Sequence, residues 1–198
     1  MTDQLYLSIW LDRQGRGSRV KQFLKLLRVF PFSQREQPQS LIAVQAISET
    51  EPPLLERPLN GPLDLPELEL AIRDYSGDDI AYRVDSWWDL WTYTDDWSLT
   101  PNRVSLYCFG PEFDNGTERS AAEQEDLRID FGVDSAYLPQ PEIQGSGKLI
   151  ESNIRSVLRV VHELDNTLDV EKRRLETESG ENFADRLEVV LRGESRVQ

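Results

Sequence analysis

Residues 85–97, DSWWDLWTYTDDW, hold four of the chain's five tryptophans: Trp87, Trp88, Trp91 and Trp97. Read as one strand, the segment puts Trp87, Trp91, Tyr93 and Trp97 on a face with Asp89 and Asp95, and Trp88, Leu90, Thr92 and Thr94 on the other. Aromatic faces beside carboxylates form sugar platforms, hold cationic ligands or anchor protein interfaces, and they also build cores. One face is expected in the core; an exposed second face would mark an interface. A second cluster is acidic: Glu112, Asp114, Glu118, Glu123, Glu125 and Asp126. It would be a solvated loop, hold a divalent ion weakly or face a basic partner.

The remaining chemistry is sparse. The chain has one His and one Cys, which excludes a disulfide scaffold, a CxxC redox pair and a multi-histidine or multi-cysteine metal centre. His162 falls late in a helical pattern, where an exposed imidazolium fits better than a neutral base. Cys108 falls on the apolar side of a strand with Val104 and Leu106 and reads as a small buried hydrophobe. Gly15-Arg16-Gly17-Ser18, between a strand and a helix, offers an anion site at a helix N-terminus. The dinucleotide fingerprint nevertheless fails, because its third glycine position is Val20. Gly145-Ser146-Gly147-Lys148 is not a phosphate loop, since Glu142 and Leu149 stand where Gly and Ser or Thr are needed. Asp74, Ser76 and Asp78 have the spacing of early calcium ligands, but the glycine at 77 is misplaced and position 85 is Asp rather than Glu. No cofactor, catalytic set or metal set is therefore expected.

The formal charge of the 198-residue chain is −14, and it is unevenly spread. Residues 1–36 carry seven basic side chains (Arg13, Arg16, Arg19, Lys21, Lys25, Arg28, Arg35) against three acidic ones, so the rest carries −18. An acidic body repels phosphate backbones, which argues against nucleic acid as a partner. It suits a basic protein partner, whose association it would steer, or plain solvation. The basic N-terminal face is expected to dock on the chain's own acidic body or face solvent. No stretch approaches the ~18 apolar residues of a membrane helix, and the first residues lack a secretory pattern, so a cytoplasmic protein is expected.

Several elements must position these residues. Residues 4–11 alternate as a strand, 19–30 carry a helical stripe (Val20, Phe23, Leu24, Leu27, Phe30), and 41–47 read as a second strand. Residues 50–66 hold five prolines and read as a stiff loop, and 67–74 are ambiguous. Strands are expected near 80–85, 103–109 and 127–133. Ile150, Ile154, Val157, Val161, Leu164, Leu168 and Leu175 then follow a heptad rhythm, with Glu171 interrupting the seam. That helix would run from about 148 to 178, or break at Asp165-Asn166-Thr167. Asp169/Arg173 and Arg174/Glu178 would be exposed i,i+4 pairs on it. Asn182 would cap a last helix with Phe183, Leu187, Val190 and Leu191, so the helical part spans about 148–192.

The expectation is one α+β domain over 1–198: a mostly antiparallel sheet opened by a β-α-β unit, with the C-terminal helices packed on it. The function expected is non-enzymatic protein binding, with Trp87, Trp91, Tyr93, Trp97, Glu112, Asp114 and Glu118 as candidate contacts and a basic partner. The alternatives are a small-molecule site or enzyme pocket beside 87–97, and a homodimer through the seam Ile150, Ile154, Val157, Val161, Leu164 and Leu168.

Overall fold

A computed structural model of the chain describes residues 3–12, 18–35, 39–59, 63–116, 124–140, 142–179 and 183. Seven strands form one sheet: β1 (Gln4–Leu11), β2 (Ser40–Ala46), β3 (Leu55–Leu59), β4 (Ile80–Tyr93), β5 (Trp97–Cys108), β6 (Leu127–Val133) and β7 (Val170–Thr177). Their order across the sheet is β3-β2-β4-β5-β6-β1-β7, and every neighbouring pair is antiparallel. Three helices, α1 (Arg19–Val29), α2 (Leu65–Ile72) and α3 (Ser146–Thr167), complete an α+β fold.

The alternating directions explain where the helices fall. β3 and β4 run the same way with β2 between them, and β6 and β7 do so with β1 between them. Strands of like direction cannot be joined by a tight hairpin, so α2 and α3 make those two crossovers. The opening β-α-β unit is the widest crossover: α1 carries the chain from β1 to β2 past three intervening strands.

One sheet face is the core. It presents Leu5, Leu7, Ile9 and Leu11 of β1, Ile42 and Val44 of β2, Val84, Trp88 and Leu90 of β4, and Leu127, Ile129 and Phe131 of β6, all buried. The helices meet that face with Phe23, Leu26 and Leu27 of α1, Leu68 and Ile72 of α2, and Ile150, Ile154, Val157 and Leu164 of α3. Cys108 lies in the same core, where burial pushes its thiol up to about 12, as its place beside Val104 and Leu106 implied.

Of the two courses open to the C-terminal heptad, the break at Asp165-Asn166-Thr167 is the one taken: α3 stops at Thr167, Leu168 is already extended, and Leu175 sits on strand β7 opposite Leu7. Asp165-Asn166-Thr167 end the helix because all three are weak helix formers, and β1 offers an open edge to the segment that follows. Glu171 interrupted the seam because it belongs to that strand. The supposed i,i+4 pairs are absent for the same reason: Arg173 meets Asp165 at 2.6 Å, Arg174 meets Glu176 at 3.4 Å, and Asp169 accepts from Gln22.

The homodimer seam is likewise spent inside the chain. Ile150, Ile154, Val157, Leu164 and Leu168 are buried and Val161 is half-buried against the same core, so no apolar stripe there remains for a second copy. The proline-rich stretch is not all loop either, because β3 runs through it at the sheet edge. Pro58 is tolerated there because an edge strand need not donate on both sides. The ambiguous 67–74 segment is helical from Leu65, with Asp64 capping Glu67 N at 3.1 Å. The last predicted helix lies outside the described residues except Phe183, which is buried edge-on to Tyr137.

Candidate functional site

The Trp-rich segment is a hairpin rather than a single strand. β4 ends at Tyr93, residues 94–96 turn, and Trp97 opens β5 directly opposite Tyr93. β2 pairs with β4 only as far as Asp85, and β6 pairs with β5 only from Ser105. Eight residue pairs, from Ser86↔Val104 to Tyr93↔Trp97, therefore project past the neighbouring strands as a two-stranded ribbon.

The ribbon's inner side is anchored. Trp88 is buried among Phe30, Phe131 and Tyr137, and Leu90 is buried beside it. The β4 edge is closed without a strand. Ser33 N donates to Trp87 O at 2.8 Å, and Asn153 on α3 makes the equivalent of a strand pair with Trp91. Asn153 Oδ1 accepts from Trp91 N at 2.9 Å, and its Nδ2 donates to Trp91 O and Ala136 O, both at 2.9 Å.

The outer side carries Trp87, Asp89, Trp91 and Tyr93 of β4, with Leu99, Pro101 and Arg103 opposite on β5. Trp87 and Trp91 are half-buried and Tyr93 is 43% exposed, with the Trp97 ring 5.4 Å from Tyr93 and Ser33 and Arg35 on Asp89. The face assignment thus holds for Trp87, Trp91, Tyr93 and Asp89. It fails for Asp95, which is in the turn, whereas Trp97 stays beside Tyr93 with the rings 5.4 Å apart, its indole donating to Gln144 O at 2.9 Å and packing against the core. Sequence alternation could not show the turn, because Thr94-Asp95-Asp96 has no glycine or proline to mark it.

The acidic cluster splits. Glu125 is buried and bonds Arg128 Nε at 2.7 Å, and Asp126 accepts from Leu11 N at 2.9 Å, so these two hold the loop to the sheet. Glu112 and Asp114 are exposed, whereas Glu118 and Glu123 lie outside the described residues. Gly110 fixes the loop's start, since a Cβ there would collide with the Asp78 carbonyl. Glu112 and Asp114 sit past Cys108, at the opposite end of twelve-residue β5 from Trp97. That is roughly 35 Å away along the strand, so the two candidate clusters do not form one surface.

A third cluster, on the outer face of the central strands, was not singled out in the sequence. Arg128 lies 5.7 Å from the Tyr6 ring, 5.9 Å from Tyr107 and 5.0 Å from Phe109, with Glu49 4.0 Å away. Burial pushes the Tyr6 phenol up to about 12 and raises Tyr107, Glu49 and Asp130 above their ordinary values. Such shifts mark functional sites or structural networks. Here the tyrosines are moved away from base chemistry, and Arg128 is neutralised by Glu125, so the arrangement pins the 109–126 loop to the sheet. Its signal was the polar half of the alternations in 4–11 and 127–133, which names an outer face without saying what covers it.

Three of the described basic N-terminal side chains dock on the chain itself. Arg19 pairs with Asp78 at 3.0 Å, Arg35 lies 3.5 Å from Asp89, and Lys25 reaches Thr167 O. Arg19 and Asp78 line a 540 Å³ cavity at the start of α1, so the anion position considered there already has a carboxylate beside it. Residues 13–17 of that motif lie outside the described residues. His162 is exposed on α3 and meets Asn166. Among the described residues no three His, Cys, Asp or Glu side chains converge as a metal set, and no helix is long and apolar enough to cross a membrane. The chain matches no family model, no curated protein and no solved structure.

Proposed function

We propose that the protein is a non-enzymatic binding module for a basic protein segment, and that the outer side of the β4–β5 ribbon is its contact surface. The observation that carries this is the projection of eight residue pairs beyond the flanking strands with half-buried Trp87 and Trp91 and exposed Tyr93 on the outer side. A two-stranded ribbon costs conformational entropy to hold, and a core-forming role needs only its inner side. Rigid aromatic faces offer large contact area and attract guanidinium groups. Asp95 and Asp96, exposed at the tip, supply the complementary charge, and the net charge of −14 would steer a basic partner inward. Glu112 and Asp114, at the far end of β5, lie outside this contact surface.

The test is a titration of the full chain with a heptaarginine peptide, read by tryptophan fluorescence. The paired substitution Asp95→Asn/Asp96→Asn is expected to weaken binding about fivefold to tenfold, and Trp91→Ala by a similar factor. The control Glu151→Gln/Glu171→Gln makes the same charge change on α3 and β7 and should leave binding within about twofold. Equal weakening by both charge variants would mean diffuse attraction to an acidic protein and would defeat the proposal.

A further inference from the structure

The outer face holds a cleft at the base of the ribbon, which shares Trp87 with the proposed peptide-contact side. It opens where β2 and β3 end and the ribbon begins, with a volume of 350 Å³, at the small end of the range for ligand pockets. Leu41, Pro58 and Trp87 supply its apolar walls, and Asp85 and Arg103 its charges. We infer that this cleft binds a small aromatic monocarboxylate, its ring against Trp87 and its carboxylate on the guanidinium of Arg103.

The charge pattern selects an anion despite the acidic body. The Asp85 side chain is only 9% exposed, and its oxygens already accept from Ser105 Oγ at 2.6 Å and Arg103 Nη2 at 3.0 Å, with Arg83 Nε 3.3 Å away. Two guanidiniums therefore face this one carboxylate, with Glu49 further out toward Arg83 and Asp130 toward Arg103. An incoming cation would find that carboxylate saturated and would meet Arg103 first. Arg103, by contrast, has a 65% exposed side chain and uses one of its five donors on Asp85. A guanidinium fork with free donors matches a carboxylate bidentately.

The distant acids count for little, because charges beyond about 8 Å are screened at physiological ionic strength. A monoanion suffers least from what repulsion remains. The walls argue for a flat ring, since an indole and a proline, each rigid, bound the space.

The experiment uses the indole N–H signals of the full chain in a 1H–15N spectrum, with the Trp87 signal identified by Trp87→Phe. Benzoate is expected to shift that signal saturably, while benzamide and benzylamine, its neutral and cationic counterparts, do not. Arg103→Gln should weaken benzoate binding at least about tenfold with the urea midpoint of unfolding unchanged. The inference is overturned if benzoate gives no saturable shift by roughly 10 mM, if benzamide binds equally, or if Arg103→Gln has no effect. Heptaarginine binding to the ribbon does not enter these outcomes, so the two proposals fail separately.

Discussion

Replacing Asn153 by alanine removes the side chain that stands in for a strand at the β4 edge. Asn153 is 1% exposed, and its amide makes three hydrogen bonds: from Trp91 N, to Trp91 O and to Ala136 O. Truncation leaves one buried N–H and two carbonyl oxygens without those partners. Each unsatisfied group costs about 1–3 kcal/mol, which bounds the loss at roughly 3–9 kcal/mol. Carbonyls tolerate under-satisfaction better than N–H groups, and water can enter beside a half-buried Trp91, so about 3–4 kcal/mol is expected. In urea this should appear as a lower midpoint with an unchanged slope. Hydrogen exchange should report the location, with Trp91 N–H losing protection ahead of the N–H groups of β1 and β6. Ser156→Ala, on the same helix, loses one helical side-chain contact to Ser152 O and should cost well under 1 kcal/mol. A loss below about 1 kcal/mol for Asn153→Ala, or protection at Trp91 equal to that of the parent chain, would show that the ribbon is held by Trp88 and Leu90 alone.

Two further outcomes follow from local strain and from burial. Ile47 has φ of 73° and is 62% exposed, a left-handed backbone on a β-branched residue with little packing to lose. Ile47→Gly should raise stability by about 0.5–1 kcal/mol in urea unfolding, the reverse of the usual sign for glycine, and a loss would refute the strain argument. Asp130 has its folded carboxyl raised by burial, so between its unfolded and folded pKa the native state holds more protons than the unfolded one. Its contribution to stability therefore falls as pH rises through that window, just above the ordinary carboxylate range. Asp130→Asn keeps an acceptor for Gly132 N and should flatten that slope in midpoint-against-pH measurements, whereas an unchanged slope would assign it to other groups.

What the sequence settled by itself was local. Period two in 4–11 and 127–133 yielded β1 and β6 at their observed bounds, because half-buried strands must alternate. The stripe from Val20 to Phe30 yielded α1 to within a residue, since Ser18 and Pro31 bracket it. Cys108 and Trp88 were legible as core from their parity alone. Tertiary structure decided the rest. Leu175 fits a heptad and a strand equally well, and only the open edge of β1 made it a strand. Pro58 reads as a loop until an edge position makes it harmless. Asn153 has no signal in a helical stripe except its polarity, and its role exists only because the ribbon continues beyond the point where β2 and β6 stop. The cleft beside Trp87 needs β3, β2, β4 and β5 side by side, an order no periodicity encodes. Periodicity reports which side chains share a face, whereas a site depends on which faces meet and which are left uncovered, and those are fixed by long-range packing.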